Sequence, residues 1–147
     1  MRMECLLCRE SGGEVVWKDE SCRVVLVEGR DGDDYPGYCR VIWGAHVPEM
    51  SDLDLHDRRH LMAVVFATEA ALRALAAPDK VNLASLGNQV PHLHWHVIPR
   101  WRDDRTFPGA IWATPAREAA PRRTPAPEDL RRAIARAIAE EQGGTLA

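Results

Sequence analysis

The stretch Val90 to Arg100 reads VPHLHWHVIPR and sets His92, His94 and His96 at alternate positions. Half of the chain's six histidines stand there. Imidazole ligates metals, attacks electrophiles and moves protons near neutral pH. Alternate residues of an extended strand share one face. The spacing therefore predicts three imidazoles looking into a cleft, with Leu93, Trp95 and Val97 turned to the core. Three chemistries fit: a surface strand that happens to carry histidines, a zinc site, or catalysis with one imidazole as nucleophile and its neighbours as orienter and acid.

Other residues bear on the choice. Cys5 and Cys8 bracket CLLC, a spacing that lets two thiolates share one zinc but needs two further ligands. Cys22 and Cys39 sit at predicted strands and read as buried small residues rather than ligands. His56 and His60 stand four apart, but Asp57 replaces the glutamate a metalloprotease helix requires, so they read as a polar helix face. Arg100, Arg102 and Arg105 read as a solvated charged turn, with contact to distal phosphates as the alternative.

The elements that must position these groups are legible from their chemistry. Val15–Lys18, Val24–Val27 and Tyr38–Trp43 are short runs rich in β-branched residues, with hairpin-length connections. Glu28 to Gly37 is a loop by composition. A long helix is expected from Ser51 as N-cap, with Asp54 three residues on. It carries Leu61, Val65, Leu72 and Leu75 at helical spacing and stops before Pro78. Strands at Lys80–Ser85 and His92–Pro99 follow, joined by LGNQVP. Beyond Trp101 the chain turns rich in Pro, Arg and Ala. PEDLRRAIARAIAEE then predicts a terminal helix with Leu130, Ile134 and Ile138 on one face. About five strands and one main helix, grouped rather than alternating, indicate an α+β fold with an antiparallel sheet.

Bulk properties narrow the function. A chain of 147 residues with 46% hydrophobic residues supports one packed domain. A net charge of −3 gives no basic footprint for nucleic acid. The sequence shows no apolar run of membrane-spanning length and no signal-peptide core at its start. The expectation is therefore a cytoplasmic protein with reduced cysteines and no membrane partner.

HLHWHVI matches the His-φ-His-φ-His-φ-φ pattern, φ being apolar, of the histidine triad (HIT) superfamily. The early cysteine pair, a strand–loop–strand with Pro-Gly, GAHVPEM after a strand, a long helix and GNQVPH before the triad also come in the family's order. The chain resembles bacterial HIT proteins of the diadenosine tetraphosphate hydrolase type over residues 1–112, leaving 113–147 as a C-terminal extension. The resemblance implies hydrolysis or transfer at the α-phosphate of a nucleotide through a nucleotidyl-imidazole intermediate. By position, His94 would be the nucleophile. His96 would bind phosphate and assist the leaving group, and His92 would orient its neighbours or bind a structural metal. A histidine rather than glutamine at 96 favours hydrolysis over transfer. Asn88, Gln89 and Asn82 would contact phosphate oxygens or the leaving group, and Glu28 the ribose hydroxyls. Cys5, Cys8, His46 and His92 would hold a structural zinc, with no catalytic metal expected. A homodimer is implied as well.

Three functions follow. The first is a nucleotide hydrolase using His94, acting on dinucleoside polyphosphates or on phosphoramidates. The second is a zinc-dependent hydrolase with the triad as metal ligands. The third is a nucleotide-binding module with little turnover.

Overall fold

The computed structural model describes residues 4–144. Among them are a short helix α1 (Leu6–Arg9), strands β1 (Glu14–Lys18) and β2 (Cys22–Leu26), helix α2 (Gly29–Asp34), strand β3 (Cys39–Trp43), the long helix α3 (Leu55–Ala76), strands β4 (Lys80–Ala84) and β5 (His94–Arg100), and helix α4 (Pro127–Gly144). The five strands form one antiparallel sheet in the order β1-β2-β3-β5-β4. The α+β class and the antiparallel sheet are as the sequence indicates.

The alternation of each strand divides the molecule. Val24, Val41, Trp43, Leu93 and Val97 turn to one side and meet Leu61, Val64, Val65 and Leu72 of α3. Leu130, Ile134 and Ile138 of α4 enter the same core at four-residue spacing and are buried. The other sheet face carries two smaller clusters. Val25 and Ile42 cover Cys5 and Leu7, while Val27, Tyr35, Tyr38, Ile98 and Ile111 pack together. The functional groups lie on this second face.

Several expectations are corrected. Helix α3 starts at Asp54, not Ser51: the Asp54 carboxylate accepts the Asp57 N–H at 2.8 Å, and Ser51 falls in a preceding 3-10 turn, Met50–Asp52. The left-handed Ala77 ends the helix before Pro78. Leu75 is 40% exposed rather than on the buried stripe. The Glu28–Gly37 loop contains α2, whose glycine-rich sequence hides it. A Cβ on Gly32 would lie 2.1 Å from the Val27 carbonyl oxygen, so only glycine lets α2 close onto the strand end. Gly37, at φ +103°, then turns the chain into β3.

Candidate functional site

Strand β5 begins at His94, so His92 lies outside it. Only His94 and His96 line the cleft; His92 is fully buried behind them. This corrects the expectation of three imidazoles on one face. The segment before β5 is held across the end of β3 by Leu93 N–H to Val47 O and Trp43 N–H to Leu93 O. That crossing turns His92 toward the N-terminus of the chain.

The hydrogen bonds fix the tautomers of two histidines. A carbonyl oxygen only accepts, so a ring nitrogen facing it carries the proton. His94 Nδ1 donates to the His92 carbonyl at 2.6 Å, which leaves the neutral ring's lone pair on Nε2. Burial, outweighing the favourable bond to the His92 carbonyl, holds the His94 pKa below the ordinary value, with the Arg40 charge adding to it. His94 is therefore neutral at neutral pH, with its lone pair on Nε2. His96 Nδ1 pairs with the Tyr38 hydroxyl at 2.6 Å. Burial first, then the charges of His94 and Arg40, push His96 down to about 3. The two rings stand edge to face with centroids 5.0 Å apart.

The cleft beside them has a volume of about 1110 Å³. Glu28, Asn88 and Gln89 line it, as does Trp112, whose ring stands 5.3 Å from His96. Glu28 sits at the N-terminal end of α2 and its side chain makes no capping bond. Asn82 is not among the lining residues: its Oδ1 accepts from Arg100 Nη1 at 2.8 Å. Arg100 itself is only 2% exposed and donates to Asp104, Asn82 and the Gly109 carbonyl. It is neither a solvated turn nor free for phosphate. Arg105 pairs with Asp34 at 3.3 Å. Tyr38, Arg40 and Trp112 join the site without a motif to mark them. The one local signal is the alternation of Tyr38 and Arg40 in YCRVIW, which sets a polar face on an otherwise apolar strand.

Behind the cleft, Cys5, Cys8, His46 and His92 converge, with their ligand atoms within 4.8 Å of one another. His92 Nε2 donates to the Trp43 carbonyl at 2.5 Å, so its lone pair is on Nδ1. That nitrogen lies 3.5 Å from both Cys5 Sγ and Cys8 Sγ, and Cys8 Sγ is 3.4 Å from His46 Nδ1. A tetrahedron with zinc bond lengths has S···N edges of about 3.5 Å, so the donor set fits that metal. The Trp43 carbonyl supplies the outer hydrogen bond that a metal-bound histidine requires. Arg23 clamps α1 in place by donating to the carbonyls of Leu7 and Glu10 at 2.9 and 3.0 Å. His94 and His96 join no cluster of metal-ligating side chains among the described residues. That arrangement counts against the triad itself holding a metal. Cys22 and Cys39 are buried thiols, the second pushed up to about 12 by burial. His56 is exposed, and His60 bonds Asp19 at 2.6 Å.

The chain is similar to solved histidine triad proteins. One from Bradyrhizobium japonicum is 26% identical, with a TM-score of 0.66 over 87% of this chain and 92% of that one. One from Sinorhizobium meliloti is also 26% identical, with a TM-score of 0.63 over 89% and 90%. A zinc-bound histidine triad family protein from Mycobacterium smegmatis, 22% identical, shares the fold over 97% and 98% with a TM-score of 0.58. No curated protein matches by sequence. The HIT domain signature matches residues 9–103, which hold most of the residues lining the cleft, both of its histidines and the buried His92; the chain belongs to the HIT domain family.

Proposed function

We propose that this protein hydrolyses nucleotides at the α-phosphate through a nucleotidyl intermediate on His94. The observation that carries this reading is the His94 Nδ1–H bond to the His92 carbonyl, which presents the Nε2 lone pair for attack. In the first step Nε2 bonds to the α-phosphorus and the bond to the leaving group breaks. Water then attacks the phosphorus, the P–N bond breaks, and the nucleoside monophosphate is released with His94 restored. His96 donates a hydrogen bond to the phosphoryl oxygens or the leaving group, steadied by Tyr38. His92 contributes its backbone carbonyl, which orients His94. Asn88 and Gln89 reach the phosphate from the cleft wall and Glu28 accepts from the ribose hydroxyls. Asn82 acts behind them through Arg100. Dinucleoside polyphosphates of the diadenosine tetraphosphate type are the leading substrates, with phosphoramidates as the alternative.

Cys5, Cys8, His46 and His92 would hold a structural zinc, which would pin the N-terminal segment and the ring of His92 without entering the reaction. The donor geometry and the zinc-bound Mycobacterium smegmatis neighbour support this. The expected setting is a cytoplasmic homodimer; the absence of a disulfide among the four cysteines agrees with a reducing compartment.

The test is to incubate the protein, with and without a chelator, with diadenosine tetraphosphate and adenosine phosphoramidate. Release of AMP is expected to survive chelation and to fall by at least about 1000-fold in His94→Ala. Turnover that stops with the chelator, together with a His94→Ala variant that has merely lost metal, would assign the triad to a metal instead. No turnover of either substrate would leave a binding module.

A further inference from the structure

Arg40 stands on β3 directly opposite His96 of β5, so the two side chains share the cleft face. It lines the cleft with His94 and His96. Its guanidinium lies 5.3 Å from the centroid of the Tyr38 ring, and the Tyr38 hydroxyl holds His96. Among the described residues, Arg40 Nε is the one buried side-chain nitrogen or oxygen without a hydrogen-bond partner. Such a donor inside a folded protein requires an explanation, and an anion arriving from the cleft supplies one. The other cleft arginine, Arg30, is exposed and turned to Asp34 at 3.8 Å. Arg40 is thus a half-buried cation with an unused donor, set beside the histidine assigned to the leaving-group side.

We propose that Arg40 receives an anionic leaving group, so that the site takes phosphoric anhydrides, in which the α-phosphorus is joined through oxygen to a further phosphate, in preference to phosphoramidates. This rests on the His94 mechanism above. In an anhydride, the Nε2 lone pair forms the N–P bond while the bond from phosphorus to the bridging oxygen breaks. The electron pair leaves on that oxygen, and the departing phosphate is neutralised by the guanidinium without needing a proton. In a phosphoramidate, the departing nitrogen must take up a proton to leave as an amine. Arginine cannot be deprotonated in a protein and so cannot supply it, and its charge opposes the positive charge that builds on the nitrogen as it is protonated. The low proton affinity of His96 agrees, since an acid of that kind is little help to an amine.

Full-length wild type, Arg40→Leu and Arg40→Lys are compared on diadenosine tetraphosphate and adenosine phosphoramidate. The wild type is expected to prefer the anhydride by at least about 10-fold in kcat/KM. Arg40→Leu should lower that value by about 100-fold on the anhydride and by less than about 3-fold on the phosphoramidate. Arg40→Lys, which keeps the charge, should recover part of the loss and holds the comparison if the leucine variant fails to fold. Equal losses on both substrates, or a wild type that prefers the phosphoramidate, overturns the proposal. A second measurement does not depend on turnover. Calorimetric titration of ADP and AMP into His94→Ala should show ADP binding more tightly, and adding Arg40→Leu should close that gap. If wild type turns over neither substrate, the hydrolase reading falls and the ADP–AMP gap alone decides the role of Arg40: a gap that Arg40→Leu closes supports it, and no gap overturns it.

Discussion

His94 and His96 are two residues apart on one strand face, yet their Nδ1 atoms meet different groups and so acquire different chemistry. A carbonyl fixes the proton of His94, whereas a hydroxyl that can donate or accept leaves either neutral tautomer open to His96. Both rings are kept neutral by burial. For His96 the sign of the consequence for stability is definite. Its folded value, about 3, lies below the ordinary 6.5. Between the two values the unfolded chain binds more protons, so stability rises with pH across that window. The contribution is fully present above about pH 6.5 and is lost on acidification toward 3. In His96→Gln that titration is gone. Melting temperatures followed by circular dichroism between about pH 7 and pH 4 should fall less steeply for the variant than for wild type. Parallel slopes would show that His96 is not held neutral in the folded protein.

The elements that place these residues were legible where side-chain pattern and backbone geometry agreed. Val24, Val41 and Val97 announced strands because β-branched residues suit a pleated, half-buried surface. Three elements were harder to read for physical reasons. Helix α2 is built from Gly-Arg-Asp-Gly-Asp-Asp, poor in intrinsic helix propensity and closed by packing onto Val27. The start of β5 could not be located within HLHWH, because alternation does not show where hydrogen bonding to β3 begins. The turn after Arg100 looked solvated because nothing local reveals that its charges pair inside. Burial alone would raise the Asp104 carboxyl. The Arg100 guanidinium and the N–H groups of Trp101 and Phe107 outweigh it and hold the carboxyl below the usual carboxylate range. This pair organises the turn that leads to Trp112 at the cleft. Removing one partner strands a buried charge, so Asp104→Ala should destabilise the fold by about 3–5 kcal/mol in urea unfolding. A loss below about 1 kcal/mol, the range of an exposed pair, would refute the buried role.

At the scale of the whole molecule, the candidate site occupies one sheet face because α3 and α4 claim the other. The family was readable from a few residues, since HLHWH combines rare residue types at the one spacing a strand can use. The reach of the core was not readable, because Pro- and Ala-rich sequence after Trp101 looks like an appendage. The structure joins it to the rest: Leu130 and Ile134 are fully buried in the cluster that holds Val64, Val65 and Leu72 of α3. Helix α4 also reaches β1, where Arg131 approaches the Val15 carbonyl at 3.4 Å. A boundary at residue 112 therefore divides the sequence at the end of the resemblance, whereas the core continues across it. If α4 belongs to the same cooperative unit, truncating a buried side chain there must weaken the whole protein. Ile134→Ala should lower the unfolding free energy by about 2–5 kcal/mol, the usual cost of a core Ile-to-Ala cavity. The urea midpoint should fall while the slope and the single transition are kept. A wild-type midpoint for the main transition, with α4 melting separately, would make residues 113–147 an independent extension and leave the HIT domain stable without it.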